Sequence, residues 1–346
     1  MLGVDNMKLT EEEQKAFDKK QKEQSYRASI FRQKQSLPYE AKIVHARQRA
    51  LEFYNTVENC HVSVGGLDSI TLLLFLRSIG INIPAISVSI IEDKSIQEIH
   101  KKLGVTALKP LKSKVEVIKE FGYPVISKEK ANKIETLQNP TEKNKTVRHA
   151  IMTGETGKQG GYKKSSKMKL PKKWLSLFGG LENENEGTNY SKAPFKVSAK
   201  CCYYLKEKPC DDWAKKHKSY PYLGLMASEG GRREQALAIN GCNYYGKTVT
   251  RSAPFAIFTR QDLLRLAVEL KVPVPEIYGE ITEDENGMLR TTKAQRTGCS
   301  MCGFGIHMEK RPHRFDLLKE QNEKEWRFWM YDMGWGNVLN YIGVEW

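Results

Sequence analysis

The chain has no long apolar run. Within its 346 residues, no stretch approaches the roughly 20 apolar residues that a membrane-spanning helix needs. The first residues, MLGVDNMKLTEEEQ, also lack the apolar core of a signal peptide. These absences argue against a membrane-spanning chain, and we expect a cytoplasmic protein with no membrane partner. Hydrophobic residues make up 40% of the sequence, which is enough for a globular core.

Acidic residues are the minority among the charged ones. Asp and Glu number 41 against 56 Lys and Arg, so the formal net charge is +15. A surface of this kind attracts polyanions, either a nucleic acid or the phosphates of a nucleotide. Both interpretations stay open, because a phosphate-binding pocket needs local positive charge without any polymeric partner.

One segment concentrates the positive charge. Residues 156–181 contain seven lysines and no acidic residue, and the acidic, Asn-rich stretch LENENEGTNYS follows. This composition predicts an insert at residues 156–191 that is mobile or ordered by a partner. Six of its lysines, flanked by Tyr162 and Trp174, could follow a nucleic-acid backbone with occasional stacking of the aromatic rings on nucleobases, or form a solvated loop. The six are Lys163, Lys164, Lys167, Lys169, Lys172 and Lys173.

The seven cysteines are an odd number and are poorly explained as a disulfide framework in a reducing compartment. Cys201 and Cys202 are adjacent, and Cys299 and Cys302 form a Cys-x-x-Cys pair. Four thiolates suggest a metal centre, either a 4Fe-4S cluster or a structural zinc site. Adjacent cysteines diverge on a strand but lie about 100° apart on a helix, so joint ligation requires a helix there. Cys242 is a substitute ligand for one of the adjacent pair.

Apolar strand-like and amphipathic helix-like segments alternate along the chain, which predicts a parallel sheet flanked by helices. The predicted strands are CHVSV, PAISVSII, VTALKP, YPVIS, YLGLMAS and PFAIFT. We expect an α/β fold with a doubly wound, mainly parallel sheet, an N-terminal helical arm and a C-terminal helical region. The expected domains are residues 1–57, residues 58–290 with the insert, and residues 291–346 with the Cys-x-x-Cys pair.

A Gly65-Gly66 turn joins the first predicted strand to a buried helix. Such a turn leaves backbone N–H groups at the positive end of a helix, which suits a phosphate. Ser63 and Ser69 could add hydroxyl donors, and Asp68 could hold a magnesium ion or cap the helix. The alternative is a tight turn without a ligand.

The stretch VGGLDS resembles the SGG-x-DS motif of the PP-loop, or adenine nucleotide alpha-hydrolase, superfamily. Further segments resemble its phosphoadenosine phosphosulfate (PAPS) reductase-like branch over residues 58–320: AKCCYYLKEKP, LMASEGGRRE, IFTRQDLLRLA, PEIYGEI and RTGCSMCGFGIHMEK. The cysteines are similar to the CC and Cys-x-x-Cys motif of assimilatory sulfonucleotide reductases with a 4Fe-4S cluster. The resemblance implies a Rossmann-like fold and a site for ATP or another adenine nucleotide. The implied nucleotide-binding residues are Ser63, Gly65, Gly66, Asp68, Ser69, Ser89, Arg232 and Arg233, and the implied cluster ligands are Cys201, Cys202, Cys299 and Cys302.

The sequence departs from this pattern. Val64 replaces the first serine, Leu67 replaces the lysine of the reductase branch, and Ser89-Ile90-Ile91 stands where relatives carry Asp-Thr-Gly. The Glu-Ser-Arg element appears as Glu229-Gly-Gly-Arg-Arg, whose arginines could clamp phosphate or pair with Glu229 or Glu234. No cysteine follows Cys302, so the covalent route of the familiar reductases has no evident nucleophile.

Three functions remain open. The leading hypothesis is a 4Fe-4S protein that binds an adenine nucleotide, uses Asp68 and Arg232 in activation, and supports sulfur transfer to an unknown acceptor with a sulfur or electron donor protein. An iron left open for sulfide requires that Cys201 or Cys202 does not ligate. The second hypothesis is sulfonucleotide reduction to sulfite with an external thiol. The third is non-catalytic binding of a nucleotide or nucleic acid.

Overall fold

The computed structural model describes residues 8–179, 193–299 and 301–346. The chain divides into two compact units, which interleave in sequence. Unit 1 comprises Met1–Lys19, Lys112–Tyr204 and Met301–Trp346, and unit 2 comprises Lys20–Leu111 and Leu205–Ser300. The expected domain boundaries at residues 57 and 290 stay a prediction.

The secondary structure alternates helices and short strands. The described α-helices are α1 Glu11–Gln35, α2 Tyr39–Thr56, α3 Leu67–Ser78, α4 Lys94–Lys102, α5 Lys114–Phe121, α6 Lys128–Gln138, α7 Lys145–Thr153, α8 Lys172–Phe178, α9 Lys200–Cys202, α10 Lys208–Lys216, α11 Gly231–Asn240, α12 Arg260–Glu269, α13 Arg314–Gln321, α14 Glu323–Arg327 and α15 Trp335–Ile342. The described strands are β1 Cys60–Ser63, β2 Ala85–Ser87, β3 Thr106–Ala107, β4 Val125–Ile126, β5 Tyr220–Leu223, β6 Asn243–Tyr245, β7 Thr250–Ser252, β8 Ile281–Glu283, β9 Leu289–Thr291 and β10 Gly303–Phe304.

Unit 2 is built on a six-stranded sheet in the order β3-β2-β1-β5-β7-β6. All neighbours are parallel except the antiparallel pair β6 and β7. Central β1 pairs with β2 through Val62 and Ala85, and with β5 through Val62 and Tyr222. The expected α/β class with a mainly parallel sheet and flanking helices is therefore confirmed.

The core of unit 2 gathers around β1 and α3. Val62 and Ile70 are fully buried, and α2 contributes Ala50 and Phe53 to the same core. The helix α3 is apolar on nearly all sides, as expected for a helix enclosed by the sheet and its neighbours. α12 packs against α3. The loop between β1 and α3 is thus held by buried elements at both ends.

The segment PFAIFT was expected to be a strand and is a turn. Phe255 and Phe258 are fully buried and their rings stack at 4.6 Å. The chain closes on itself here, because Phe258 N donates to Phe255 O at 2.9 Å. A short buried apolar run fits either a strand or a compact turn, and Pro254 supplies no N–H for a strand ladder. The actual strand, β7, ends before this segment.

Unit 1 contains a second core. The predicted strand YPVIS forms β4, but β4 pairs in parallel with β10 in a separate two-stranded sheet and not with the strands of unit 2. Trp335 is fully buried and packs its ring against Tyr123 and Phe315. The helices α6, α8 and α13 to α15 contribute to this core. The expected continuation of one alternating sheet through YPVIS is therefore wrong.

The helical arm and the helical C-terminal region are present as predicted, as α1 with α2 and as α13 to α15. The lysine-rich insert differs from the expectation, because Trp174, Leu175 and Phe178 of α8 are buried in the core of unit 1. The acidic stretch LENENEGTNYS lies outside the described residues. Among the described helices, none has both the length and the apolarity that a membrane crossing requires.

Candidate functional site

The sheet of unit 2 has a topological switch point at β1. The next strand in the chain, β2, pairs on one side of β1, and β5 pairs on the other side. In open parallel sheets, ligands bind in the crevice at the carboxyl ends of the strands at such a point. The chain leaves the carboxyl end of β1 through Gly65 and Gly66 and the carboxyl end of β5 toward Glu229. This places the predicted phosphate loop at the position that the strand order favours.

The loop is closed by its own serine. Gly65 N donates to Ser69 Oγ at 2.7 Å, and Ser69 Oγ donates to Gly66 O at 3.0 Å. α3 begins at Leu67, with Gly66 as the N-cap residue and no side-chain cap. The alternative in which Asp68 caps the helix is therefore wrong. Ser69 shapes the turn, and the side chain of Asp68 is left for another role.

Asp68 forms an ion pair with Arg260, the first residue of α12. The distance from Arg260 Nη1 to Asp68 Oδ1 is 2.5 Å, and both side chains are about one quarter exposed. Burial raises the pKa of Asp68, the charge of Arg260 lowers it, and the nearby charge of Glu229 raises it again. The net effect is a raised pKa, because burial is the largest of these influences.

Glu229 stands at the other side of the switch point. Its side chain is 6% exposed and pairs with Arg233 of α11 and with Arg296, whose Nη2 lies 3.3 Å from Glu229 Oε1. The pairing of Arg233 with Glu229 is the alternative that the sequence left open. Arg232 is exposed on the first turn of α11. Three guanidinium groups thus form ion pairs with carboxylates of this site, namely those of Arg233, Arg260 and Arg296.

Tyr278 and Thr297 cover the loop. Leu67 N donates to Tyr278 Oη at 3.2 Å, and Tyr278 Oη lies 2.8 Å from Thr297 Oγ1. A Cβ added at Gly66 would overlap Tyr278 Oη and lie 3.2 Å from Thr297 Oγ1. Gly66 is required here for close approach. Tyr278 is 3% exposed, and the hydroxyl acts as the acceptor at the start of α3.

Ser89 reaches the loop through a histidine. Ser89 Oγ lies 2.9 Å from His100 Nδ1, and His100 Nε2 lies 2.8 Å from Gly65 O. Since Gly65 O can only accept, Nε2 carries the proton, and Ser89 donates to Nδ1 of the neutral ring. Burial lowers the pKa of His100, which agrees with this neutral form. Ser89 therefore fixes the loop indirectly.

Sequence reasoning missed Arg260, Tyr278, Thr297, His100 and Arg296. Their contacts with the loop span sequence separations up to 211 residues, which no local pattern records. Four of the five lie in segments that resemble the PAPS reductase-like branch, IFTRQDLLRLA, PEIYGEI and RTGCSMCGFGIHMEK, but the resemblance did not single them out. The Thr259 cap is a further local sign, because it places Arg260 at the start of α12.

Unit 1 holds three of the four predicted cluster cysteines. Cys201 and Cys202 lie on α9, which continues into a π-helix at Tyr203–Glu207. Both residues therefore lie on a helical turn, which joint ligation requires, and the ligation itself stays a prediction. Cys202 and Cys302 are both partly buried, and Cys302 O accepts from Arg314 Nη1 at 3.1 Å. Met301 beside Cys302 has a left-handed backbone with φ of 53°.

The other cysteines lie in unit 2. Cys299 is partly exposed near the end of that unit. Cys242 is buried 4.0 Å from His45 Nε2, and burial raises the pKa of its thiol to about 11. Burial also raises the pKa values of Cys60 and Cys210 to about 11, which favours neutral structural thiols at all three positions. In the part of the chain that the structure describes, no three His, Cys, Asp or Glu side chains are gathered so as to hold a metal ion.

The lysines of the insert form an exposed surface of unit 1. Lys163 and Lys164 each lie 4.0 Å from a carboxylate, those of Asp18 and Glu155. Trp174 is 4% exposed, so its predicted stacking on a nucleobase is wrong. His307 has a pKa lowered by burial and then by the charges of Lys130 and Lys173.

No family model matches the sequence, and no curated protein matches it significantly. Among solved structures, the chain is similar to phosphoadenylyl-sulfate (PAPS) reductase from Candida auris in a phosphate complex. The TM-score is 0.36 and the identity 13%, over 73% of this chain and 98% of that one. A likeness of this size assigns neither a family nor an activity. The α/β class of this chain follows from its own strand order.

Proposed function

We propose that unit 2 binds the phosphates of an adenine nucleotide at the carboxyl end of β1, and that the protein uses this nucleotide to support sulfur transfer to an acceptor. The observation that carries the proposal is the switch in strand order at β1, with a Gly-Gly turn leading directly into the buried helix α3. The choice of an adenine nucleotide as the ligand rests on the resemblance of VGGLDS to the SGG-x-DS motif.

The residues present suit this ligand. Tyr278 Oη already accepts a hydrogen bond from Leu67 N–H, as a phosphate oxygen would do. Arg260 and Arg296 can turn from their carboxylate partners to phosphate oxygens, which accept the same paired N–H geometry. Asp68 would then be released to hold a magnesium ion, and burial would strengthen that interaction.

A 4Fe-4S cluster at the cysteines is a further part of the proposal. It is supported by the vicinal pair on a helical turn and by the Cys-x-x-Cys spacing. Such a cluster, when bound, would supply electrons or sulfide. Iron and acid-labile sulfide should be measured in protein purified without oxygen, and zinc alone would identify the structural alternative.

The nucleotide site is tested by calorimetric titration of the full chain with ATP and magnesium. Arg260→Gln should weaken binding about 10-fold or more, because a charge-assisted hydrogen bond is lost. The matched control is Arg265→Gln, which changes an exposed arginine one turn later on α12, and its affinity should equal that of the unaltered chain. Equal weakening by both changes would contradict the assignment.

Turnover distinguishes the sulfur-transfer proposal from sulfonucleotide reduction. Release of pyrophosphate from ATP is expected for nucleotide activation. Release of sulfite from an adenosine phosphosulfate in the presence of a thiol donor would instead favour the reductase, with the external thiol acting as the nucleophile that the chain lacks after Cys302.

A second candidate function is the binding of a nucleic acid on unit 1. It is favoured by the exposed lysines of the insert, since within the described residues Lys167, Lys169 and Lys172 have no carboxylate partner. Replacing these three by Gln should weaken binding of a single-stranded oligonucleotide and reduce its salt dependence. Unchanged binding and salt dependence would reject this surface.

A further inference from the structure

The start of α3 is satisfied by a side chain that belongs to a distant part of unit 2. Tyr278 lies in a short 3-10 helix, Glu276–Tyr278, and its hydroxyl accepts from Leu67 N. Because a Cβ at Gly66 would overlap that hydroxyl, the loop and the hydroxyl leave no room for another group between them. A phosphate oxygen and Tyr278 Oη therefore compete for the same donor.

Three consecutive residues are tied to the same place. Gln295 O accepts from Arg260 Nη2 at 3.1 Å, Arg296 pairs with Glu229, and Thr297 Oγ1 contacts Tyr278 Oη. We call Gln295, Arg296 and Thr297 the 295–297 segment. These three contacts end on groups of the proposed phosphate site, whereas the side chain of Gln295 donates to Thr291 O at 2.7 Å. Thr297 is two residues before Cys299.

We infer that an anion entering the loop displaces the Tyr278 and Thr297 hydroxyls and releases the 295–297 segment, so that occupancy of the nucleotide site changes the surroundings of Cys299. The inference rests on the proposed function, because it takes the nucleotide phosphate as the anion. The phosphate takes the Leu67 N–H from Tyr278 and the Arg260 guanidinium from Gln295 O. The long side chain of Arg296 turns from Glu229 to the phosphate, so the present anchors of the segment backbone are lost. Two residues span at most about 7 Å, so a displacement of Thr297 also changes the position or the surroundings of Cys299.

The coupling is reciprocal. If the nucleotide favours the released form of the 295–297 segment, any change that releases the segment must favour nucleotide binding by the same factor. Ligation or modification at Cys299 that holds the segment away from Tyr278 would therefore tighten nucleotide binding. In this way occupancy of the phosphate loop and the state of Cys299 would be coupled within unit 2.

The test uses Tyr278→Phe, which removes the hydroxyl but keeps the ring, and Thr297→Val, which removes the second hydroxyl at nearly constant volume. Tyr220→Phe is the control, since Tyr220 is an exposed tyrosine of β5 in the same unit. ATP affinity is measured by titration, and amide hydrogen exchange is followed in peptides covering residues 291–299. The unaltered chain should exchange faster in these peptides when ATP is saturating.

Tyr278→Phe and Thr297→Val should bind ATP about 3- to 10-fold more tightly, because a competing hydrogen bond has been removed. They should also show the faster exchange of residues 291–299 without nucleotide, whereas Tyr220→Phe should change neither quantity. Weaker binding by Tyr278→Phe would show that the hydroxyl holds the phosphate, and it would overturn this inference. If both variants bind ATP as tightly as the unaltered chain and hydrogen exchange is unchanged, this inference is overturned but the proposed function stands. No ATP binding by any variant would overturn both.

Discussion

Single residues in unit 2 show how burial sets the state of a titratable group. His61 of β1 is 1% exposed, and its Nδ1 lies 2.8 Å from Ser219 Oγ. Burial lowers its pKa from 6.5 to about 4, and the charge of His217 acts in the same direction. The folded protein therefore favours the neutral ring. The same cause acts on His100, where the neutral form is the one that holds the loop.

A pH dependence of stability follows for His61. Its folded pKa lies below its unfolded value, so the stabilisation is complete above about pH 6.5 and is lost as the pH falls toward 4. At pH 5 the loss is about 2 kcal/mol relative to neutral pH. Urea unfolding at pH 7 and pH 5 measures it.

His61→Gln, which keeps a polar partner for Ser219, is the comparison for this measurement. Its free energy of unfolding should fall less between pH 7 and pH 5 than that of the unaltered chain. An equal fall in both proteins would assign the pH dependence to other groups, such as His45 or His100.

The helix α12 shows how one element is fixed by its first turn. Thr259 N and Asp262 Oδ2 lie 2.7 Å apart, and Thr259 Oγ1 accepts from Asp262 N, which together form a capping box. Asp262 Oδ2 also lies 2.8 Å from Lys42 Nζ, and both side chains are nearly buried. This start positions Arg260 over Asp68.

Asp262→Ala removes the cap and leaves the charge of Lys42 buried without its partner. The free energy of unfolding should fall by about 3 to 5 kcal/mol. Arg265→Gln on the same helix breaks exposed ion pairs and the contact of its guanidinium group with the Tyr39 ring, and should cost about 1 to 2 kcal/mol. Similar losses in the two variants, measured by chemical denaturation, would mean that the buried pair does not anchor α12.

The elements differ in how far the sequence predicts them. β1, the Gly65-Gly66 turn and α3 are consecutive, so their pattern lies in one short window, and the structure confirms it. The prediction of a strand at PFAIFT is wrong because a buried apolar run does not distinguish a strand from a turn. YPVIS is a strand, but its partner β10 is 178 residues away in sequence, from Val125 to Gly303, and pairing at that distance leaves no local signal.

The same reasoning applies to the site. Gly65, Gly66 and Asp68 could be predicted as candidates because they lie within four consecutive positions of the sequence. Tyr278 and Arg260 could not, since their roles come from contacts at the carboxyl end of β1 that only the folded sheet creates. The lysines of the insert are exposed, as predicted, whereas Trp174 is buried. The burial of Trp174 could not be predicted, because a single aromatic residue beside lysines gives no periodicity from which burial can be inferred.

The candidate functional residues of the whole molecule are divided between the two units. Unit 2 holds the proposed phosphate site, with its carboxylates and guanidinium groups, together with Cys299. Unit 1 holds Cys201, Cys202, Cys302 and the exposed lysines of the insert. The Cys-x-x-Cys pair spans the sequence boundary between the units. The proposed nucleotide site and the proposed nucleic-acid surface therefore lie in different units.

The central claim is that a nucleotide phosphate binds at the carboxyl end of β1, and a crystal structure of the full chain with ATP and magnesium tests it most directly. We expect a phosphate oxygen to accept from Leu67 N–H, with the guanidinium groups of Arg260 and Arg296 turned toward it and Tyr278 Oη moved away. Phosphates found instead on the lysines of the insert, with the Leu67 to Tyr278 hydrogen bond unchanged, would contradict the claim.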